Sequence, residues 1–292
     1  MSSEALPIYG GQAVLEGVMM RGRRAMAVAV RSPQGRIEIL TEPLSSLYSG
    51  PVGRIPFLRG LLGLWDALGL GVKALTFSSN VVAGEAQKIE GPAMYATIGL
   101  SLAFGVGLFF LLPAAAAQAG ERFVGLSPWT SNLLEGLIRL GLIVGYIWAI
   151  GRIPDIRRLF AYHGAEHKTI NAFEAGAELT PTSVARFPLE HPRCGTAFLL
   201  TVVLFSIIVF SLLGPLPLVG RLASRILLIP VIASLAYEYI RFTARHLSNP
   251  IIRTLVVPNL ALQRLTTRPP DESMLEVAIA AFQTMREKEK VL

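Results

Sequence analysis

Charged residues are scarce in this chain of 292 residues, and they are unevenly distributed. Asp, Glu, Lys and Arg make up 16% of the sequence, against about 25% in soluble domains. Hydrophobic residues account for 52%. Long stretches carry no charge, whereas others are rich in arginine. This alternation is not typical of a soluble domain and indicates a polytopic membrane protein.

Cysteine and histidine are rarer still. Cys194 is the only cysteine, so no disulfide can form within the chain, and an oxidising compartment is neither required nor excluded. The histidines number four: His163, His167, His191 and His246. Nor is there an arginine-rich run interleaved with aromatic residues. We therefore assign the formal net charge of +7 to cytoplasmic loops and expect no nucleic-acid partner.

Four apolar stretches are long enough to cross a bilayer, which takes about 20 residues. They are residues 93–117, 133–151, 196–219 and 222–240. A turn rich in glycine and proline joins the last two into a hairpin. Residues 55–75 are also apolar, but Arg59, Asp66 and Lys73 interrupt them. For this segment we predict an interfacial or re-entrant helix.

Basic residues concentrate before the first span, between the second and third, and after the fourth. An even number of spans separates these regions, so all three can lie on the cytoplasmic side, as basic loops generally do. We therefore predict that both termini are cytoplasmic. The predicted parts are an α+β region with an interfacial helix (1–90), a membrane domain (91–245) with a cytoplasmic loop (152–195), and an amphipathic segment (246–292).

Both cytoplasmic ends carry signals for local structure. The apolar run 25–30, the turn residues 32–35 and the alternating segment 36–40 predict a β-hairpin. Near the other end, Asp271 can cap a helix whose apolar stripe is Met274, Ala278, Phe282 and Met285. The predicted fold class is a mainly α polytopic membrane protein, with a small N-terminal α+β domain.

His163, Glu166 and His167 form the pattern with the most specific chemistry. Residues 155–175 are predicted to form a helix ending at Gly176. Two histidines four residues apart then share a face and can bind one zinc ion. The order His-x-x-Glu-His is that of inverted zinc hydrolases, in which the glutamate is the general base. The alternative is a pair of structural histidines bonded to carboxylates or lipid phosphates.

Further metal ligands would have to come from other segments. His191 and Cys194 share one loop and are the best sources, because imidazole and thiolate both suit zinc. Glu174 lies two turns beyond His167 and would reach the ion only if the helix bends. His246 follows the fourth span and is a weaker candidate. Cys194 has two other interpretations, a small buried hydrophobe or a nucleophile paired with a histidine.

The N-terminal segment has a second unusual pattern. Gly10 and Gly11 allow a tight turn or a close approach of the backbone. Glu16 follows among apolar residues and needs a partner such as Arg21, or a metal. This segment therefore either contributes to the site or holds an internal ion pair.

Several segments resemble the YqhQ-like family of bacterial membrane proteins. They are YGGQAVLEGVMMR (Tyr9–Arg21), YHGAEHKTINAFE (Tyr162–Glu174), HPRCGTAFLL (His191–Leu200) and LQRLTTRPPDE (Leu262–Glu272). The resemblance implies a multi-pass protein of the bacterial inner membrane. It also implies a metal-dependent enzyme, since the family is usually described as one, but it names no substrate.

Two functions from different classes remain. The first is a metal-dependent hydrolase at the cytoplasmic membrane face, with zinc on His163, His167 and His191, Cys194 as a further ligand, and Glu166 as base. Its substrate would be a lipid-linked group or a membrane peptide. The second is a non-enzymatic scaffold or transporter with a basic docking surface. The spans contain few ionisable residues, which argues against transport, although a homo-oligomer enclosing a pathway stays open.

Overall fold

The computed structural model describes residues 9–45, 55–84, 92–214 and 216–292. The chain is mainly helical, with a small N-terminal sheet. The strands are β1 (Gly10–Val14), β2 (Gly17–Arg21), β3 (Ala25–Arg31) and β4 (Ile37–Pro43). The first helices are α1 (Leu58–Ala83), α2 (Pro92–Val106), α3 (Leu112–Val124), α4 (Pro128–Ile150), α5 (Pro154–Glu174) and the short α6 (Pro181–Val184). The remaining helices are α7 (Gly195–Leu212), α8 (Leu218–Leu227), α9 (Ile229–Arg245), α10 (Pro250–Thr266) and α11 (Glu272–Val291).

The sheet is an antiparallel meander in the order β1-β2-β3-β4. The predicted hairpin is confirmed as β3 and β4, and Gly35 takes a positive φ of 82° in its turn. The glycine-rich N-terminal segment forms a second hairpin, β1 and β2, which the sequence pattern did not predict. Glu16 occupies its turn with a φ of 50°, an uncommon conformation for a residue with a side chain.

Both faces of the sheet are covered, because the central strands are apolar up to their last residues, Arg21 and Arg31. Alternate residues of β3 point to opposite faces. Ala27 and Ala29 pack with α5 and α11, whereas Met26, Val28 and Val30 pack with α1. The result is a three-layer unit in which the strands are the middle layer.

Helix α1 joins this unit to the other helices. Its second half lies on the sheet through Leu70, Ala74 and Phe77. Its first half lies on α9, where a Cβ at Gly60 would come within 3.2 Å of the Ser234 Cα. Polar contacts also tie α1 to the strands, and the Asp66 carboxylate accepts a 2.8 Å hydrogen bond from the Arg21 Nε.

Within the part of the chain that the structure describes, four helices are long and apolar enough to cross a membrane. They are Leu58–Ala83, Tyr95–Val124, Pro128–Ile150 and Gly195–Leu212. The last three correspond to the first three predicted spans. The predicted fourth span is a broken pair, α8 and α9, bent by 45°. The segment predicted as an interfacial or re-entrant helix forms α1, which is also long and apolar enough to be a span.

Both predicted cytoplasmic helices form close to their predicted ends. Helix α5 covers Pro154–Glu174, and the positive φ of Gly176 follows its last turn. Helix α11 begins after Asp271, whose carboxylate accepts a hydrogen bond from the Met274 N–H. The predicted apolar stripe of α11 is buried against the sheet and α5, so this helix docks within its own domain.

Candidate metal centre

Two histidines of α5 and the cysteine before α7 converge at one point. The rings of His163 and His167 lie one helical turn apart, with centroids separated by 4.4 Å. The His163 Nε2 is 3.2 Å from the Cys194 Sγ. The three ligand atoms, one from each residue, all lie within 4.8 Å of one another. Bond lengths of about 2.0–2.3 Å to zinc separate tetrahedral ligands by roughly 3.3–3.8 Å. The three ligand atoms would therefore have to close in by up to about 1 Å to share one ion.

Backbone carbonyls hold both imidazoles in one tautomer. The His163 Nδ1 lies 2.9 Å from the Thr266 carbonyl oxygen, and the His167 Nδ1 lies 2.5 Å from the Leu189 carbonyl oxygen. A carbonyl only accepts hydrogen bonds, so each Nδ1 carries the proton and each Nε2 keeps its lone pair. Metal-bound histidines typically have this outer hydrogen bond, which orients the ring.

Cys194 is the N-terminal capping residue of α7. Its Sγ accepts a 3.3 Å hydrogen bond from the Thr196 N–H, one of the donors that the first helical turn leaves free. This hydrogen bond fixes the position of the sulfur at the start of the helix, and the thiolate is the form of cysteine that binds metals. The residue is 7% exposed, so the sulfur lies at a sheltered point of the fold.

The fit of a cation can be judged from the polar atoms that lack a partner. Within the described residues, the His167 Nε2 and the Glu166 Oε2 are buried without a hydrogen bond. Such orphaned atoms are rare in folded proteins. A divalent ion would give the imidazole nitrogen a ligand bond, and the thiolate and carboxylate would balance its two charges. The residues therefore fit a divalent metal of the zinc type.

The carboxyl group of Glu166 is covered by the N-terminal strand. The Gly11 N–H donates a hydrogen bond to it, and a Cβ at Gly11 would lie 2.9 Å from its Cδ. Burial raises the pKa of Glu166, while His163, His191 and the Gly11 N–H act in the opposite direction. The absence of a side chain at Gly11 thus allows the backbone of β1 to contact Glu166, the candidate general base.

His191, which the sequence favoured as third ligand, lies beside the cluster instead of within it. Its ring centroid is 5.7 Å from that of His167, and its Nε2 is 3.7 Å from the Glu174 carboxylate. Burial lowers the pKa of His191 to about 4, against a smaller effect of Glu166. The Gln263 side chain holds its backbone through two hydrogen bonds, at 2.9 and 2.8 Å.

The three additional candidates do not join the cluster. Glu174 forms an ion pair with Arg193. His246 is exposed, and its Nδ1 bonds to the Phe242 carbonyl at 2.7 Å. Glu16 pairs with Arg158 on α5 through two contacts of 2.6 Å. The suggested partner of Glu16 was wrong, because Arg21 pairs with Asp66 on α1.

Sequence reasoning missed the residues that orient the ligands. Thr266, Leu189 and Gln263 act largely through backbone atoms or an amide, which leave no residue-type signature. Gly164 had a detectable signal, since it stands between the two histidines. A Cβ there would lie 2.2 Å from the Arg268 carbonyl oxygen, so only glycine lets the segment that follows α10 approach α5.

Comparisons with known proteins agree on a family and give no activity. A family model described as "Protein of unknown function (DUF1385)" matches residues 55–288. The Bacillus subtilis (strain 168) protein described as "Uncharacterized protein YqhQ" is 36% identical over 292 residues, covering 94% of this chain and 91% of that one. No solved structure gives a significant match. The function must therefore be argued from the geometry.

Proposed function

The chain belongs to the DUF1385 family of proteins of unknown function, and within it we propose that this protein is a metal-dependent hydrolase of a bacterial inner membrane. One observation carries the proposal. Two imidazoles with fixed tautomers and one helix-capping thiol offer ligand atoms within 4.8 Å of one another, beside a buried carboxyl group. Three protein ligands with a neighbouring general base are typical of catalytic zinc sites.

The topology supports a membrane protein with four crossings. The strands, α5 and α11 pack into one unit, so they must lie on the same side of a bilayer. Three candidate spans lie between β4 and α5 in the sequence: α1, α2–α3 and α4. An even number of them must cross the bilayer. Helix α1 is the one that does not cross, because its second half packs against the strands. The spans are then α2–α3, α4, α7 and the broken pair α8–α9.

The distribution of basic residues favours the cytoplasm for the packed unit. Near the ends of the spans on the other side, the basic residues are Arg122 in the last turn of α3 and Arg221 and Arg225 in α8. Cytoplasmic loops hold the excess of Lys and Arg in membrane proteins. Both termini would therefore be cytoplasmic, as would the candidate metal centre.

The residues divide the proposed chemistry between them. His163, His167 and Cys194 would hold the ion, which supplies Lewis-acid activation of water or of a substrate carbonyl. Glu166 would accept a proton at its unpartnered Oε2 and return it to the leaving group. Its raised pKa moves the carboxyl group towards the range in which a general base works near neutral pH.

The position of the site favours a substrate at the membrane surface. Cys194 directly precedes α7, the most apolar candidate span, so the sulfur would lie at the level where that helix enters the bilayer. Helix α10, whose Thr266 orients His163, exposes the large apolar residues Ile251 and Leu255 on the same side. A lipid-linked group or a membrane peptide therefore fits this location better than a freely soluble substrate.

Metal content tests the proposal directly. We expect about one zinc or similar ion per chain in detergent-purified protein, measured by inductively coupled plasma mass spectrometry, because three ligands are preformed. The double variant His163→Ala/His167→Ala should contain none. His246→Ala is the matched control and should keep the ion, since this exposed histidine is bonded elsewhere. Absence of metal from chelator-free wild type would overturn the proposal.

Glu166→Gln separates the general base from the ligands. We expect this variant to retain the ion and to lose hydrolysis, because an amide cannot take up the proton. Turnover would be followed as product release from a panel of lipid and peptide esters and amides, with wild type as reference. Loss of the metal in Glu166→Gln would instead make the carboxylate a ligand.

A second candidate function uses the same contact without a metal. The 3.2 Å approach of the His163 Nε2 to the Cys194 Sγ is also that of a nucleophilic pair, and the Thr266 carbonyl would be its orienting group. Iodoacetamide distinguishes the two. A free nucleophile would be alkylated at the same rate with or without a chelator. A metal-bound thiolate would react only after the chelator removes the ion.

A further inference from the structure

A second buried polar cluster lies in the helices assigned to the membrane, at the end remote from the sheet. It combines three arginines and two glutamates from α3, α4 and α8: Glu121, Glu135, Arg139, Arg221 and Arg225. Glu135 and Arg139 are each 1% exposed, and Arg225 is 2% exposed. These residues are dispersed along the sequence, and only the packing of the helices brings them together.

Glu135 is the centre of the cluster. Its carboxylate accepts hydrogen bonds from Arg139 at 2.8 Å and from Arg225 at 2.9 and 2.6 Å. The Arg221 Nε lies 3.5 Å away. One carboxylate thus serves three guanidinium groups, and Glu121 adds a second contact to Arg221 at 2.8 Å.

The charges of this cluster do not balance. Three arginines and two glutamates leave one positive charge, and no other carboxylate of the described residues forms an ion pair with these arginines. Arg225 also has an N–H to spare: its hydrogen bonds to Glu135, Asn132 and Ser224 use four of its five donors. An unbalanced buried charge is costly and calls for an anion.

The backbone is irregular next to the cluster. A π-helical turn, Gly107–Leu111, joins α2 to α3, and its Phe109 carbonyl accepts a 2.7 Å hydrogen bond from the Arg139 Nε. On the other side, the α8–α9 pair bends by 45° just after Arg225. Single π-turns and broken membrane helices both occur preferentially at ligand sites.

A small cleft lies beside the cluster at the non-cytoplasmic end. It is closed in this structure, so its side chains must move apart to admit an anion, and it is lined by Arg221, Arg225, Asn132, Glu121, Pro128, Gly214 and Leu216. Large apolar side chains are exposed at the same end of the helices: Phe123, Trp129 and Val219 are 80%, 68% and 80% exposed. Aromatic residues in such positions are typical of the level of the lipid headgroups.

We propose that this cleft binds one phosphate group carrying a single negative charge, supplied by an anionic phospholipid of the outer leaflet. The phosphate would neutralise the excess charge and accept a hydrogen bond from the spare N–H of Arg225. It would also take N–H groups of Arg221 from their present neutral partners, because a charged acceptor binds a guanidinium group more strongly than a neutral one; these partners are Gln118, Ser131 and Asn132. The apolar rim would hold the acyl chains. Free inorganic phosphate has the same chemistry and is the other source to be tested.

Two variants change the excess charge in opposite directions. Arg225→Gln reduces it from one to zero and should weaken phosphatidylglycerol binding about tenfold or more, the effect of one charged hydrogen bond. Glu121→Gln raises it to two, frees a donor of Arg221 and should strengthen binding. Arg122→Gln is the matched control, because it removes an exposed charge from the same helix outside the cluster.

Native mass spectrometry of full-length protein in neutral detergent gives the readout. The probes are phosphatidylglycerol, phosphatidylcholine and, by calorimetry, inorganic phosphate. We expect one phosphatidylglycerol per chain, no retained phosphatidylcholine, and the order Glu121→Gln above wild type above Arg225→Gln. If inorganic phosphate binds with the same order among the variants and phosphatidylglycerol does not bind, the ligand is free phosphate and the lipid assignment is overturned. Equal phosphatidylglycerol retention by wild type and Glu121→Gln would overturn the site itself, even if Arg225→Gln fails to fold.

Discussion

At the scale of single residues, the candidate site depends on atoms that are not themselves ligands. The carbonyl groups of Thr266 and Leu189 determine which nitrogen of each histidine is free. Outer contacts of this kind typically change metal affinity by about 10- to 100-fold when they are lost. The ligands are therefore supported from α10 and from the loop before α7, in addition to their own helix.

Gly11 is a position at which the packing around Glu166 can be tested without changing a candidate ligand. In Gly11→Ala the new Cβ would lie 2.5 Å from the Met19 carbonyl oxygen and 2.9 Å from Glu166. We expect the free energy of unfolding to fall by about 1–3 kcal/mol, as for other overpacked positions. Thermal unfolding followed by circular dichroism measures the change.

Gly10 provides the control for that substitution. It lies in the same strand, and nothing stands within 4 Å of a Cβ at this position. Gly10→Ala should therefore change the stability by no more than about 0.5 kcal/mol. Equal losses in the two variants would mean that the strand requires glycine for its backbone and not for contact with Glu166.

At the scale of secondary-structure elements, α11 connects the end of the chain to the sheet and to α5. Its cap is Asp271, whose Oδ1 accepts hydrogen bonds from the Met274 N–H at 2.9 Å and from the Ser273 hydroxyl at 2.7 Å. Burial opposes ionisation, but these bonds and the charge of Arg158 hold the pKa of Asp271 below its ordinary value of 3.8. The cap is thus strongest when ionised.

The cap gives a prediction with a defined dependence on pH. Asp271→Ala should lower the free energy of unfolding by about 0.5–2 kcal/mol at pH 7. Because the folded pKa is depressed, the charged cap contributes fully above pH 3.8 and loses its contribution as the pH falls through the folded value. The difference between variant and wild type should therefore shrink in that acid range.

Chemical denaturation at pH 7 and in the acid range would measure this difference. Asp271→Asn keeps a side-chain acceptor without the charge and serves as the control. Its stability should lie close to that of wild type at acid pH and below it at neutral pH. A deficit of Asp271→Ala that stays constant with pH would assign the cap to hydrogen bonding alone.

At the scale of the whole molecule, the packed unit and the apolar helices constrain each other. The sheet contacts α5 on one face and α1 on the other, so the chain must cross the bilayer an even number of times between β4 and α5. Helix α1 has the length and hydropathy of a span but is held at the sheet by Arg21–Asp66 and Lys73–Glu42 ion pairs. We therefore expect α1 to lie along the membrane surface.

Labelling of single cysteines tests this arrangement. In a Cys194→Ser background, new cysteines at Ala83, Phe123 and Lys290 are all exposed. An impermeant maleimide should label Phe123→Cys in intact cells. It should label Ala83→Cys and Lys290→Cys only after permeabilisation. Labelling of Ala83→Cys in intact cells would place α1 across the bilayer.

Local patterns were sufficient to predict much of the secondary structure. The hairpin of β3 and β4, helix α5 and the capped helix α11 follow from turn residues, apolar periodicity and caps, which act between residues a few positions apart. The pairing of His163 with His167 has the same origin, because a spacing of four residues places both on one helical face. The apolar spans follow from composition over about 20 residues.

The β1–β2 hairpin was missed for a local reason. Its turn places Glu16 in the positive-φ region, where glycine is the usual signal, so the sequence gives no warning of it. The ion pair of Glu16 with Arg158 joins residues 142 positions apart. No periodicity could reveal such a partner, and the nearer Arg21 was the natural but wrong choice.

The sequence by itself determined the long apolar helices, α5, α11 and the His-x-x-Glu-His face, since each depends on neighbours along the chain. Only the tertiary structure decided that Cys194 joins the two histidines while His191 stands aside, because that choice depends on how Gln263 holds the connecting loop. It also brought Gly11 onto Glu166 and gathered three arginines around Glu135. Contacts between distant segments depend on how the helices and strands pack, and local sequence patterns cannot distinguish between candidate partners that lie far apart along the chain.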